Sequence, residues 1–222
     1  MVRRNSAKKA RRNPGRSFSD LSNNNAFSGS EVYNARAYAR KHPFLVHKAT
    51  QGTNFIDDAH AERCESTHLQ GIPVGHYHFM DGFSNATRAI EEANHFLKIT
   101  IPHFMEHAPK SGLRSDFLIL DIETPQSVPN ECIQSFEIYV NVACKLPVIC
   151  YTGLSYFLEH ELICRSRKWW LAAYPGPLPL RLPHKQTIWA HQYTESGKTE
   201  GVAGGCDMSL LVDKNSIKYW DK

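Results

Sequence analysis

From residue 17 onward, short apolar runs rich in β-branched and aromatic residues alternate with polar stretches. The runs are SFSDLS (17–22), FLVHKAT (44–50), IPVGHYHF (72–79), DFLILDIE (116–123), LPVICYTG (146–153), KWWLAAY (168–174), QTIWAHQY (186–193) and CDMSLLV (206–212). Runs this short, often apolar on both faces, predict buried parallel strands. Between the earlier ones the apolar period lengthens to that of a helix. Ala86, Ala89, Ile90, Ala93, Phe96 and Leu97 form one stripe behind a Ser84 or Asn85 cap, and Ile133, Phe136, Val140 and Ala143 form another after Pro129-Asn130. Weaker helical patterns cover 28–41, 57–70 and 153–165. The last two connections differ: PGPLPLRLPHK carries four prolines and TESGKTEGVAGG is rich in Gly and polar residues, so neither holds a crossover helix. About eight strands and five helices, alternating at first and degenerating at the end, predict an α/β fold with right-handed crossovers. The expected form is an irregular TIM-like (β/α)5β3 barrel in a single domain. An open doubly wound sheet is the alternative, but no G-x-G-x-x-G or P-loop follows the first strand.

Composition changes little in that picture; charge distribution changes more. With 222 residues, 41% hydrophobic and 22% charged, the chain has the make-up of an ordinary globular protein. No apolar run approaches the ~18 residues of a membrane span. Cys64, Cys132, Cys144, Cys150, Cys164 and Cys206 are scattered without a C-x-x-C pair, which predicts free, mostly buried thiols and a reducing place of synthesis. The formal net charge is +4, yet seven of the 26 Lys and Arg fall in residues 1–16, which hold no acid. The remaining residues therefore carry 19 bases against 22 acids. Residues 1–16 are expected to be a disordered basic tail, and 17–222 the barrel. The tail has no apolar h-region, so it is not read as a secretory signal, and synthesis in the cytoplasm is expected. A basic arm suits nucleic acid, anionic lipid or an anionic wall polymer, while the acidic remainder argues against specific nucleic-acid binding.

Candidate chemistry collects at strand ends, because in a parallel barrel the loops after the strands line one mouth. The fourth run ends in Asp121-Ile122-Glu123, whose i, i+2 spacing puts both carboxylates on one face, ~6.6 Å apart along a strand. If Ile122 faces the helices, both acids face the barrel axis, where they are costly unless hydrated, paired or employed. Asp20 in the first run and Asp207 in the eighth are placed alike, and in a closed barrel these strands are neighbours. Four carboxylates with no Lys or Arg inside the strand ends fit a divalent metal or an acid/base pair acting on a neutral polymer. His76 and His78 form an H-x-H pair able to ligate zinc, but only His191 stands at another strand end, so a hydrogen-bonded role is expected for them. Tyr77, Phe79, Tyr151, Trp169, Trp170, Tyr174, Trp189 and Tyr193 lie near the same ends, and rings beside carboxylates suit a sugar. Strand alternation forbids Trp169 and Trp170 from both facing the axis.

The segments DLSNNN (20–25), KATQGTNFID (48–57), GIPVGHYHF (71–79), LDIE (120–123), WLAAY (170–174), QYTESG (192–197) and the Asp207 strand together resemble the glycoside hydrolase family 25 lysozymes, the Chalaropsis-type N-acetylmuramidases of fungi, bacteria and bacteriophages. The match runs in order from about residue 17 to 212. The resemblance implies cleavage of the β-1,4 bond between N-acetylmuramic acid and N-acetylglucosamine in peptidoglycan by a monomer without cofactor or metal. It places the family's acids on Asp20, Asp121, Glu123 and Asp207, with Glu123 as general acid. Tyr77, Tyr151, Trp170, Tyr174 and Gln192 are the expected substrate-binding residues. The sequence departs from the family pattern at Gln51, where Glu is common, at His191, where Trp is common, and at His76. Carboxylates on one strand do not easily straddle a sugar ring, so the D-x-E spacing suits a retaining, substrate-assisted reaction in which the 2-acetamido oxygen attacks. Two other readings stay open: a wall-binding barrel that does not cut, and a chitinase-like glycosidase, although Leu118 and Ile119 depart from the longer acidic run such enzymes carry. The absence of a signal suggests an enzyme made in the cytoplasm that acts at the bacterial wall, released by a lysis pore as a phage endolysin would be, or delivered by a virion.

Overall fold

The computed structural model describes residues 17–25, 33–82, 84–107, 116–174 and 176–212. The expected basic tail, residues 1–16, lies outside them, as does part of the helix expected over 28–41. Each apolar run forms a strand: β1 (Ser17–Leu21), β2 (Leu45–Gln51), β4 (Val74–Phe79), β5 (Phe117–Asp121), β6 (Val148–Gly153), β7 (Lys168–Ala172), β8 (Thr187–Gly197) and β9 (Cys206–Leu211). A two-residue strand, β3 (Phe55–Ile56), adds a short antiparallel hairpin to β2. The sheet order is β1-β9-β8-β7-β6-β5-β4-β2, and β1 also pairs with β2, which closes the sheet into an eight-stave barrel. Among the described residues the α-helices are α1 (Ala35–Tyr38), α2 (His60–His68), α3 (Ala86–His107), α4 (Asn130–Cys144) and α5 (Leu154–Glu159).

One expectation is corrected here. β9 runs antiparallel to both β1 and β8, so the barrel is not all parallel. The connection from β8 to β9 is short and Gly-rich; without a crossover element the chain can only turn back. This direction matters for the site. Asp207 is the second residue of β9, so only a reversed strand brings it to the mouth where the other staves end.

Strand alternation sorts the side chains into two layers. Phe18, Phe44, Phe117, Ile119, Trp170 and Trp189 fill the barrel. Leu118, Leu120, Ile122, Trp169 and Leu171 face outward into a second layer that holds Phe96 of α3 and Phe136 of α4. Trp169 and Trp170 thus diverge as their adjacency requires. Gly75 faces inward, where a Cβ would lie 2.5 Å from the Phe117 ring. No side chain fits there.

Candidate active site

Asp20 is the fourth residue of β1 and stands directly opposite Asp207 of β9 in the strand register. Between them sits Gln192 of β8, whose amide nitrogen donates to Asp20 Oδ1 at 3.1 Å, Asp20 Oδ2 at 3.3 Å and Asp207 Oδ2 at 3.4 Å. The amide oxygen of Gln192 accepts from Tyr151 Oη at 2.7 Å and from the hydroxyl of Tyr174. Gln192 has no exposed surface and all its bonding groups face protein. It fixes the acids from beneath rather than meeting a ligand, which corrects the expectation of direct substrate contact.

Asp121 ends β5 and is 7% exposed, while Ile122 is fully buried in the helix-facing layer. Glu123 follows and opens to solvent. The condition set by the sequence, Ile122 outward, is therefore met. A cleft of about 560 Å³ runs over this mouth, with Glu123, Tyr151, Leu154, Tyr174, Glu195 and Asp207 in its wall. Tyr174 is 42% exposed and presents its ring to the cleft, Tyr151 forms the buried floor, and Tyr77 is half-buried beside the acids. Trp170 is 2% exposed, donates its indole N–H to Ser209 Oγ at 3.0 Å and lies 4.5 Å from the Tyr151 ring. It supports the floor from below, a second correction to the expected substrate-binding set.

The carboxyls raise one another's pKa. For Asp20 the largest cause is burial, then the charge of Asp207, opposed by the Gln192 bond. Burial also pushes Asp207 up to about 6, with Glu195 adding repulsion and the Asp20 bond lowering it. Burial again dominates for Asp121, followed by Glu123 and Asp20, with Lys48 pulling the other way. Glu123 borders the cleft, yet partial desolvation and then Asp207 raise it, against a neighbouring Tyr151 hydroxyl. Like-charge pairs of this kind hold one carboxyl as an acid while another ionises.

Two residues of the site were missed at the sequence level. Lys48 contradicts the expectation that no cation sits inside the strand ends. Its ammonium donates to Gln51 Oε1 at 2.7 Å and lies 4.8 Å from the Phe79 ring, within electrostatic reach of Asp121. The signal was present, since Lys48 is the one Lys or Arg within the FLVHKAT run. Glu195, inside the QYTESG segment, is an additional acid at the rim.

The histidines stand apart from this chemistry. His76 and His78 point outward and are fully buried, His78 between Thr50 Oγ1 at 2.8 Å and Glu92 Oε2 at 2.9 Å. His191 Nε2 donates to the Ala173 carbonyl at 3.1 Å and lines a separate groove of about 820 Å³ on the outer wall. That groove has Leu178, Leu180, Leu182 and Ile188 in its lining and no carboxylate, so its larger size does not make it the reactive site.

Comparison with known proteins agrees with this geometry. The family model described as glycosyl hydrolases family 25 matches residues 40–202. The CTP1L endolysin structure is 25% identical, with a TM-score of 0.69 over 93% of this chain and 71% of that one. The spore cortex lytic enzyme SleM of Clostridium perfringens superimposes with a TM-score of 0.74 at 22% identity, covering 92% of this chain and 69% of that one. The bacterial lysozyme of Streptomyces coelicolor gives 0.69 at 19% identity over 95% and 99% of the two chains. Comparison with curated protein sequences finds no match.

Proposed function

Because the chain belongs to the glycosyl hydrolases of family 25, we propose that its cleft hydrolyses peptidoglycan as an N-acetylmuramidase, cutting the β-1,4 bond between N-acetylmuramic acid and N-acetylglucosamine. The observation that carries the reading is the convergence of Asp20, Asp121, Glu123 and Asp207 on one mouth, beside a cleft walled by Tyr174. A polymer with apolar sugar faces and many hydroxyls suits rings and carboxylates together. The likeness to the CTP1L endolysin supports a lytic enzyme.

Glu123 is the general acid: it borders the cleft, and its raised pKa keeps a proton available for the glycosidic oxygen. Asp121, deeper and held near Lys48, orients the 2-acetamido group and stabilises the positive charge that develops as its oxygen attacks the anomeric carbon. The leaving oxygen takes the proton of Glu123. Water then opens the oxazolinium ring, giving up a proton to Glu123 and restoring the acid. Asp20, Asp207 and Gln192 form a hydrogen-bonded base beneath this pair. Placing the nucleophile on the substrate agrees with two acids that emerge from one strand end.

Action at the bacterial wall follows from the substrate. Among the described residues no helix is long and apolar enough to cross a membrane. The basic segment 1–16 adds electrostatic attraction to anionic envelope polymers. The test is turnover on purified peptidoglycan: Glu123→Gln and Asp121→Asn each lose at least ~100-fold in kcat with fold intact. Near-normal turnover by either variant contradicts the assignment.

A further inference from the structure

The outer wall of the barrel beneath α2 and α3 holds a group of side chains that the hydrolytic reading leaves unused. His60 and Cys64 lie one turn apart on α2, and His76 projects outward from β4 to meet them. Their exposures are 1%, 0% and 0%. His60 Nε2 is 2.8 Å from His76 Nδ1, Cys64 Sγ is 3.9 Å from the same atom, and one ligand atom from each residue lies within 4.8 Å of the others. Tetrahedral zinc, with Zn–N of about 2.0–2.1 Å and Zn–S of about 2.3 Å, wants such atoms roughly 3.3–3.6 Å apart. The observed spacings bracket that range.

The surroundings favour a metal over a chance cluster. Asp116 accepts from His76 Nε2 at 3.0 Å and from the Val74 backbone N–H at 2.9 Å. Because a carboxylate only accepts, His76 carries its proton on Nε2 and turns the Nδ1 lone pair toward His60 and Cys64. A carboxylate that fixes the tautomer of a histidine in this way is the usual support of a metal ligand. The His103 ring of α3 packs beside the cluster, 5.0 Å from the ring of His60 and 6.5 Å from that of His76, and would have to turn toward it to supply a fourth ligand. The buried face of α2 is His60, Arg63, Cys64 and Thr67, without one aliphatic or aromatic hydrocarbon side chain. Such a helix gains little from apolar burial and is held by polar ties, among them the Arg63 guanidinium donating to the Ser22 carbonyl at 2.9 Å.

The other candidate cluster, Glu137 with Cys150 and Cys164, lacks this availability. Both oxygens of Glu137 accept backbone N–H bonds, from Arg165 at 2.7 Å and Ser166 at 3.1 Å.

We propose that His60, Cys64 and His76 form a structural zinc site that pins α2 to the barrel wall, with the His103 side chain turning in from α3 as the fourth ligand. Binding moves the His60 proton to its Nδ1 and releases one proton, that of the Cys64 thiol, as the Zn–S bond forms. The site lies outside the cleft and takes no part in hydrolysis.

The test uses the full-length chain, stripped by a chelator and titrated with Zn²⁺, with bound metal counted by elemental analysis. One zinc per chain and a rise of about 5–10 °C in thermal midpoint at a hundredfold excess over Kd are expected. Co²⁺ in place of Zn²⁺ gives a thiolate charge-transfer band. Cys64→Ser, checked for folding by its retained lytic activity, loses that band and binds Zn²⁺ at least ~100-fold more weakly, and Asp116→Asn weakens binding ~10–100-fold. Unchanged stoichiometry and affinity in Cys64→Ser, or no rise in midpoint on adding Zn²⁺, overturns the proposal. Should Cys64→Ser not fold, absence of the charge-transfer band in the parent protein overturns it alone.

Discussion

Asp121 has a high ionisation cost: it is 7% exposed, and its Oδ1 has no hydrogen-bond partner among the described residues. The Lys48 ammonium offsets part of that cost, so the charge on Asp121 at working pH depends on a residue from a different strand. Replacing the cation by an isosteric apolar side chain raises the Asp121 pKa further. Lys48→Met therefore loses activity first at the acidic end of its range, and the loss shrinks as pH rises. A kcat/KM profile that falls uniformly across pH, or not at all, contradicts this role. The acids themselves were legible in the sequence, because a period-2 strand dictates where residues 121 and 123 point. The division of labour among polar residues was not. Whether Gln192 or Trp170 meets solvent depends on how neighbouring staves overhang it, which no single strand records.

At the level of elements, the inward packing of the barrel requires a missing side chain in β4. Gly75 of β4 lies under the Phe117 ring, and an added Cβ would also stand 3.1 Å from Val46 Cγ2. Gly75→Ala forces the ring or the stave to shift, costing about 1–3 kcal/mol and lowering the thermal midpoint by roughly 2–4 °C per kcal/mol. An unchanged midpoint contradicts the packing described. The eight staves and the helices among the described residues follow from apolar period and from proline placement. The reversed direction of β9 does not, because hydrophobic alternation reads the same in both directions. The two residues of β3 are too few to show a period, and α3 continues past Pro102 to His107 because packing against the barrel and α4 outweighs one lost backbone bond.

The whole molecule separates its charge. The formal +4 is the sum of a basic N-terminal segment and a remainder with more acids than bases, and four of those acids gather at one mouth of the barrel. If residues 1–16 hold the enzyme to an anionic wall, raising salt from ~0.05 M to about 0.5 M, where the screening length is a few ångströms, weakens lysis by the full chain more than by a version starting at Ser17. Equal salt sensitivity of the two proteins contradicts that use of the segment. Family and fold leave the bond that is cut as the central claim. Peptidoglycan digested to completion and reduced with borohydride reports it directly: muramitol at the new ends is the predicted product, and glucosaminitol in its place contradicts the account.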